Sequence, residues 1–427
     1  MTTSPGSRRV LPHLAYIEAL ADTDEDTPRW QALTAGYAAL QMFDAWTGRQ
    51  NAPTFSLMDL RRVRRRLSLV SEGDPIRRCL TQLVEVMERA ESGGGLAPFV
   101  QHSDELGRVL AAYGKLLQYE GAWSLAHDVF ETLGDFGLLV GDTERVLDSV
   151  LMMGFSLRML SRFDDARVAY EVLRRMATTA RSEQYLLLAE LGFAKVAIER
   201  GNLPAAAGML DRILDDASDE KHRNVRAKAL MDRARVADQM GDYASAAILG
   251  HEALESTTDP LDRDRIVLNI GMTLANLGLR DQARDAFIVV STTAQESTAR
   301  HVATINLMEL AYLDRREVIF EQYRRSLRET DLPPYFQALW HETIGNAARV
   351  FGRPDEAIVS FERMRTIAEA YGLNEFILRA DRALDEISSF APLREEPSPS
   401  RVDEQPADVV AVAHAMTAMR EHCGVNE

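Results

Sequence analysis

The sequence predicts an all-α fold: an α-α superhelix of about seven helix hairpins preceded by a small N-terminal helical bundle. Three observations predict it. Strand signals are scarce, while apolar residues recur at three- and four-residue spacing from about residue 28 to 390. Helix-breaking turns return at a nearly fixed interval, and a small residue follows each turn at the same distance.

The small residue five places after each turn falls on Ala126, Ala166, Ala206, Ala246, Ala283, Ile319 and Ala357, at intervals of 40, 40, 40, 37, 36 and 38. Four places later on the same helical face stand Phe130, Tyr170, Leu210, Gly250, Phe287, Tyr323 and Phe361. Twelve places before the small residue, the first helix of each unit carries Gly114, Gly154, Ala194, Ala234, Gly271, Leu307 and Gly345. Two antiparallel helices approach closely only where a side chain is nearly absent, and the large residue fills the adjoining gap. The turns themselves hold Gly121, Ser161, Gly201, Gly241, Gly278, Asp314 and Gly352, which suits a C-cap with φ > 0. Pro204 and Pro354 stand near the start of second helices, where proline is tolerated. Two irregularities stand out: the sixth unit reads Leu307, Asp314 and Ile319, and in the fourth unit Gly250 takes the place of the large residue. The latter predicts loose packing there, or a side chain supplied by a neighbouring unit.

A small residue late in the first helix, a turn such as Gly241-Asp242-Tyr243, then alanine and an aromatic on the second helix resemble the tetratricopeptide repeat over residues 106–390. The units are longer than that family's usual repeat, which implies longer helices or linkers. The resemblance implies a solenoid whose first helices line a concave groove. The layout is also similar to bacterial peptide-receptor regulators built on such repeats. By that analogy, a peptide in the groove would control how the N-terminal bundle meets a signalling partner.

Around the array, residues 1–27 read as a flexible N-terminus and 28–92 as a helical bundle or divergent repeat, with Asp74-Pro75 opening one of its helices. Gly93-Gly94-Gly95 separates this segment from the array. Residues 391–406, rich in proline, serine and charge, read as a disordered linker, and 407–423 as a short amphipathic helix with Val409, Val412, Met416 and Met419 on one stripe. A helix of that length is stable only if it docks, and its tether makes the chain's own groove one candidate place.

Composition narrows the functions. The 49 Lys and Arg face 65 Asp and Glu, a formal charge of -16 that disfavours nucleic-acid binding by the whole chain. The two cysteines, Cys79 and Cys423, form no CxxC pair, which fits a reducing compartment. The N-terminus lacks the apolar core of a signal peptide and no run of 18 apolar residues occurs, so the expected location is cytoplasmic, with no membrane partner. No phosphate loop, zinc spacing or nucleophile elbow is present, and His251-Glu252 and His341-Glu342 lack the second histidine of a metal helix. The expectation is a non-enzyme with no catalytic residue, metal or cofactor.

One equivalent first-helix position reads Lys115, Phe155, Lys195, Arg235, Met272, Met308 and Asn346 along the array. Neighbouring positions add Arg158, Lys228, Arg265, Asn276, His301 and Arg349. Cations attract carboxylates, amides pair with a peptide backbone, and methionine adapts to varied apolar groups. The candidate partner-binding residues are therefore Lys115, Arg158, Lys195, Lys228, Arg235, Arg265, Asn276, Asn346 and Arg349. The expected partner is a protein or peptide, with an acidic or carboxylate-bearing segment in view, and homo-oligomerisation is left open. For the cations, salt bridges to nearby carboxylates are the competing use. Five arginines in "RRVRRR", residues 61–66, read as a solvated face beside the Leu57, Leu60, Val63 and Leu67 stripe, with docking of an acidic partner as the alternative.

Overall fold

The computed structural model of the chain describes residues 13–25, 27–47, 57–91, 101–389 and 400–424. Among these residues it holds twenty α-helices and no strand. Contacts divide the chain into two compact units, Met1–Asn202 and Leu203–Glu427. Gly93-Gly94-Gly95 and residues 391–399 lie outside the described residues.

The first unit begins with α1 (Leu14–Ala21), α2 (Pro28–Thr47), α3 (Leu57–Leu67) and α4 (Pro75–Glu91). It continues with α5 (Ser103–Tyr119), α6 (Trp123–Val140), α7 (Thr143–Met159), α8 (Phe163–Ala180) and α9 (Glu183–Glu199). Asp74 caps α4 as its sequence promises, its carboxylate accepting the Ile76 amide at 2.8 Å. Helices α1 to α4 share a single apolar core with α5 and α6, from Tyr16 through Phe43, Leu83 and Leu110 to Phe136. At its centre the Tyr16 hydroxyl donates to the Tyr113 hydroxyl at 2.9 Å. The segment read as flexible up to residue 27 thus contains α1, whose Tyr16 is fully buried.

The second unit comprises α10 (Leu203–Asp216), α11 (Arg223–Gln239), α12 (Tyr243–Ser256), α13 (Pro260–Asn276), α14 (Arg280–Thr293) and α15 (Ser297–Leu313). Then come α16 (Glu317–Ser326), α17 (Pro334–Val350), α18 (Pro354–Tyr371), α19 (Asn374–Ser388) and α20 (Ala407–Cys423). From α5 to α18, first and second helices of a hairpin alternate. Within each unit the helices of a hairpin pack on one another and the first helices of successive hairpins neighbour each other, as α7 does α9 and α15 does α17, the arrangement of a tetratricopeptide-like α-solenoid.

Each hairpin turn closes the same way. At the fourth, the Gly241 amide donates to the Asp238 carbonyl and the Asp242 amide to the Ala237 carbonyl, both at 2.9 Å, with Gly241 at φ 79°. This is the Schellman pairing, which satisfies carbonyls the helix end leaves over. Asp242 then caps the next helix by accepting the Ser245 amide at 3.1 Å. The Ser245 hydroxyl and amide together hold the Asp242 carboxyl below its ordinary range.

The sixth turn corrects the sequence register. Asp314 keeps φ -86°, and the left-handed residue is Arg315 at φ 55°. The positive-φ positions then become 121, 161, 201, 241, 278, 315 and 352, spaced by 40, 40, 40, 37, 37 and 37. Phe320, 2% exposed, takes the interior place assigned to Ile319, which is exposed. Asp314 serves instead as an acceptor, receiving Arg280 at 3.2 Å and Arg284 at 2.6 Å.

The C-terminal helix α20 docks, but not on the first-helix face. It lies across the second helices α12 and α14 and buries Val409, Val412, Ala413 and Met416. Asp285 of α14 receives Thr417 at 2.8 Å and Arg420 at 2.6 Å. The reason is visible in α14: a second helix normally keeps a solvent face, yet every residue from Ala283 to Val290 is buried.

Candidate functional site

The shifted register moves the sixth groove position from Met308 to Glu309. Met308 is fully buried in a core with Phe320 and Ile344. Glu309 is exposed and borders a cleft. Met272 behaves as its position predicts, standing 45% exposed on the first-helix face of α13.

Most of the predicted cations have partners within the chain. Arg158, 9% exposed, lies over the Phe155 ring and donates to Glu199 at 3.0 Å. Arg265 holds both oxygens of Glu296 at 2.9 and 3.1 Å, and Arg349 donates to Glu386 at 3.0 Å. Arg235 approaches Asp232 at 3.8 Å. Lys115 and Lys228 are exposed, whereas Lys195, Asn346 and His301 are half-buried. In "RRVRRR", Arg62 pairs with Asp59, Arg64 with Glu85 and Glu88, and Arg66 covers the Trp30 ring. The solvated-face reading describes that stretch.

Two of these pairs form rungs between successive first helices: α7 to α9 through Arg158 and Glu199, and α17 to α19 through Arg349 and Glu386. Between α13 and α11 the rung is polar, with Thr273 and Asn276 donating to Asp238 at 3.3 and 3.4 Å. In these rungs the partners stand 35 to 41 residues apart, so no local pattern announces them.

Among the described residues, the first-helix face of the second unit carries two adjoining clefts. The smaller, about 190 Å³, opens between α11 and α13 and is lined by Met231, Ala234, Arg235, Gly250, Ile270 and Met272, among others. The larger, about 530 Å³, lies between α13 and α15, with Met272, Asn276, Phe287, Asn306, Glu309 and Leu310 in its wall. Met272 belongs to both. Asn306 presents a buried Nδ2 that has no hydrogen-bond partner among the described residues. Asn269 and Asn306 are absent from the sequence-based candidates, which add to the one repeated position mainly cations, with Asn276 and His301, from its neighbours. Each stands a turn or less from that position, on the same face.

Among the described residues no three His, Cys, Asp or Glu side chains gather to hold a metal, and no helix is long and apolar enough to cross a membrane. Cys79 is half-buried and its thiol is pushed up to about 11 by burial, which keeps it protonated and unreactive near neutrality.

No protein-family model matches the chain, and no curated protein matches its sequence. Several solved structures are similar to it. The apo form of the quorum sensor NprR from B. thuringiensis is 13% identical, with 82% of this chain and 91% of that one covered at a TM-score of 0.49. A Rap protein complexed with competence and sporulation factor is 14% identical over 84% and 99% of the two chains, also at 0.49. The Rap conjugation gene regulator of plasmid pLS20, in complex with the Phr* peptide, is 13% identical over 84% and 99% at 0.48. At such identities the likeness concerns the fold alone, and the fold that the helix pairs themselves build is a tetratricopeptide-like α-solenoid.

Proposed function

We propose that the first-helix face of the second unit binds an extended peptide or protein segment, held by α11, α13 and α15 and left chemically unchanged. The observation that supports this reading is Asn306. Its Nδ2 is buried in the wall of the larger cleft without a partner among the described residues. Leaving such a donor unsatisfied costs about 1–3 kcal/mol. A backbone carbonyl of a segment running along α13 relieves that cost, and the exposed Asn269 and Asn276 offer the same amide chemistry on either side of Met272.

The partner this face suits is amphipathic, not strongly acidic. Arg158, Arg265 and Arg349 are already paired with Glu199, Glu296 and Glu386. The clefts set Glu309 and Asp238 beside Arg280 and Arg235.

Selection of displayed random peptides on the immobilised full chain tests the reading. Peptides that bind the wild type are expected to bind the Asn269→Ala/Asn306→Leu variant about tenfold more weakly or worse. Equal binding to both, or no peptide enriched at all, would falsify the proposal.

A further inference from the structure

In four hairpins a glycine on the first helix faces an aromatic sixteen residues later on the second: Gly114 with Phe130, Gly154 with Tyr170, Gly271 with Phe287 and Gly345 with Phe361. The contact is close enough to exclude any side chain. A β-carbon on these glycines would stand 2.6 to 2.7 Å from the ring. All four rings are 2% exposed or less. Each aromatic is therefore an internal plug between its own hairpin's helices.

The fourth hairpin lacks the plug. Its equivalent positions are Ala234 and Gly250, and both line the cavity of about 190 Å³ between α11 and α13. Ile270 of the next hairpin reaches toward the gap, its Cγ1 2.9 Å from where a Gly250 β-carbon would be, and leaves the rest of the space unfilled. Met231, Ala246, Ile266 and Ile270 make the walls apolar. Asn269 and Met272, both exposed, stand at the mouth, where Thr273 and Asn276 hold Asp238 in place.

We infer that this cavity is a specificity pocket for one large apolar side chain of the bound segment, an aromatic one above all. The inference rests on the peptide-binding reading and names the residue class that reading leaves open. The occupant's chemistry comes from four sister hairpins, which fill the equivalent place with phenylalanine or tyrosine, while the third fills it with Leu210. The size agrees, since an apolar cavity of about 150 Å³ is enough to take up benzene. Entry is from the first-helix face, because the mouth residues belong to α11 and α13. The amides there then meet the main chain on either side of the inserted group.

Indole is the probe, read by the methyl resonances of Met231 and Met272 in the full chain. Saturable shifts of these two, with the exposed Met240 unmoved, are expected for the wild type. The Ala234→Gly/Gly250→Phe variant puts the sister hairpins' plug into the cavity at the cost of displacing Ile270 from the 250 β-carbon, so its fold is checked by circular dichroism, and the folded variant should lose the indole response. It should also weaken selected peptides about tenfold or more. Absent shifts in the wild type overturn the inference without requiring any variant to fold. So do shifts that persist in the folded double variant. Selected peptides that bind the double variant with unchanged affinity overturn the pocket while leaving peptide binding standing. If selection yields no peptide, the peptide reading fails, and the methyl response still decides whether the cavity takes an aromatic ring.

Discussion

The contact between Gly345 and Phe361 sets a sharp condition on a single atom. Alanine at 345 would place its β-carbon 2.7 Å from a ring that is 1% exposed and has nowhere to move. Overpacking of this kind costs roughly 1–3 kcal/mol, which outweighs the gain of about 1 kcal/mol from alanine's better helix propensity. Gly345→Ala should therefore lower the denaturant midpoint. Gly208, also helical, has open space where a β-carbon would stand, with nothing within 4 Å, so Gly208→Ala should raise stability by up to about 1 kcal/mol. Equilibrium denaturation of both variants checks the pair, and the same sign for both would refute the plug. The spacing of small and large residues was legible in the sequence. That most of the first-helix cations are already paired was not, because an arginine's partner here lies a whole repeat away, as Glu199 does from Arg158.

Two elements show how local pattern and packing part company. In the sixth hairpin the repeat register points to Asp314 as the turn residue. The chain instead puts Arg315 at φ 55°. Asp314 accepts hydrogen bonds from Arg280 and Arg284, and Phe320 fills the core. The sign of this was the spacing itself, since a one-residue shift makes the last three intervals equal. The C-terminal helix α20 was legible as amphipathic, while its docking place was not. The clue lay about 120 residues earlier, in the uniformly apolar "AFIVV" of α14, Ala286–Val290. Ending the chain after Gln405 strips Val409, Val412, Ala413 and Met416 from the core that contains Ile288 and removes the Arg420 and Thr417 contacts to Asp285. After the ordering cost of the helix is deducted, a net loss of about 2 kcal/mol is expected, read as a Tm lower by several degrees. An unchanged Tm, with amide exchange of α14 also unchanged, would show that α20 contributes nothing there.

At the scale of a whole unit, the second one carries a pH dependence. Burial pulls both His301 and His341 below the ordinary histidine value. Arg300 adds to this at His301 against Asp331; at His341, Glu329 opposes it while Arg363 and Arg324 add to it. A histidine depressed in the folded state is protonated first in the unfolded chain. Its stabilising contribution is therefore full above about pH 6.5 and is lost as the pH falls below it. Glu342 works the other way, raised by burial despite Arg379, so it returns some stability as the pH nears the carboxylate range. Denaturant midpoints should fall between about pH 7.5 and about pH 5.5, with a shallower fall in His341→Gln. A flat profile in the wild type would contradict the assignment.

The sequence by itself determined the helix-hairpin repeat, because close packing of two helices demands small residues at fixed spacing and those are readable one chain position at a time. It also marked Gly250 as the odd member of its series. Only the tertiary structure decided what that oddity does. Whether a missing side chain leaves a void, a collapsed contact or a cavity depends on how far Ile270 can reach from the next hairpin, and it reaches only part of the way. Ion pairs spanning a repeat and a helix returning from the far end of the chain are likewise matters of three-dimensional proximity, to which local periodicity is blind.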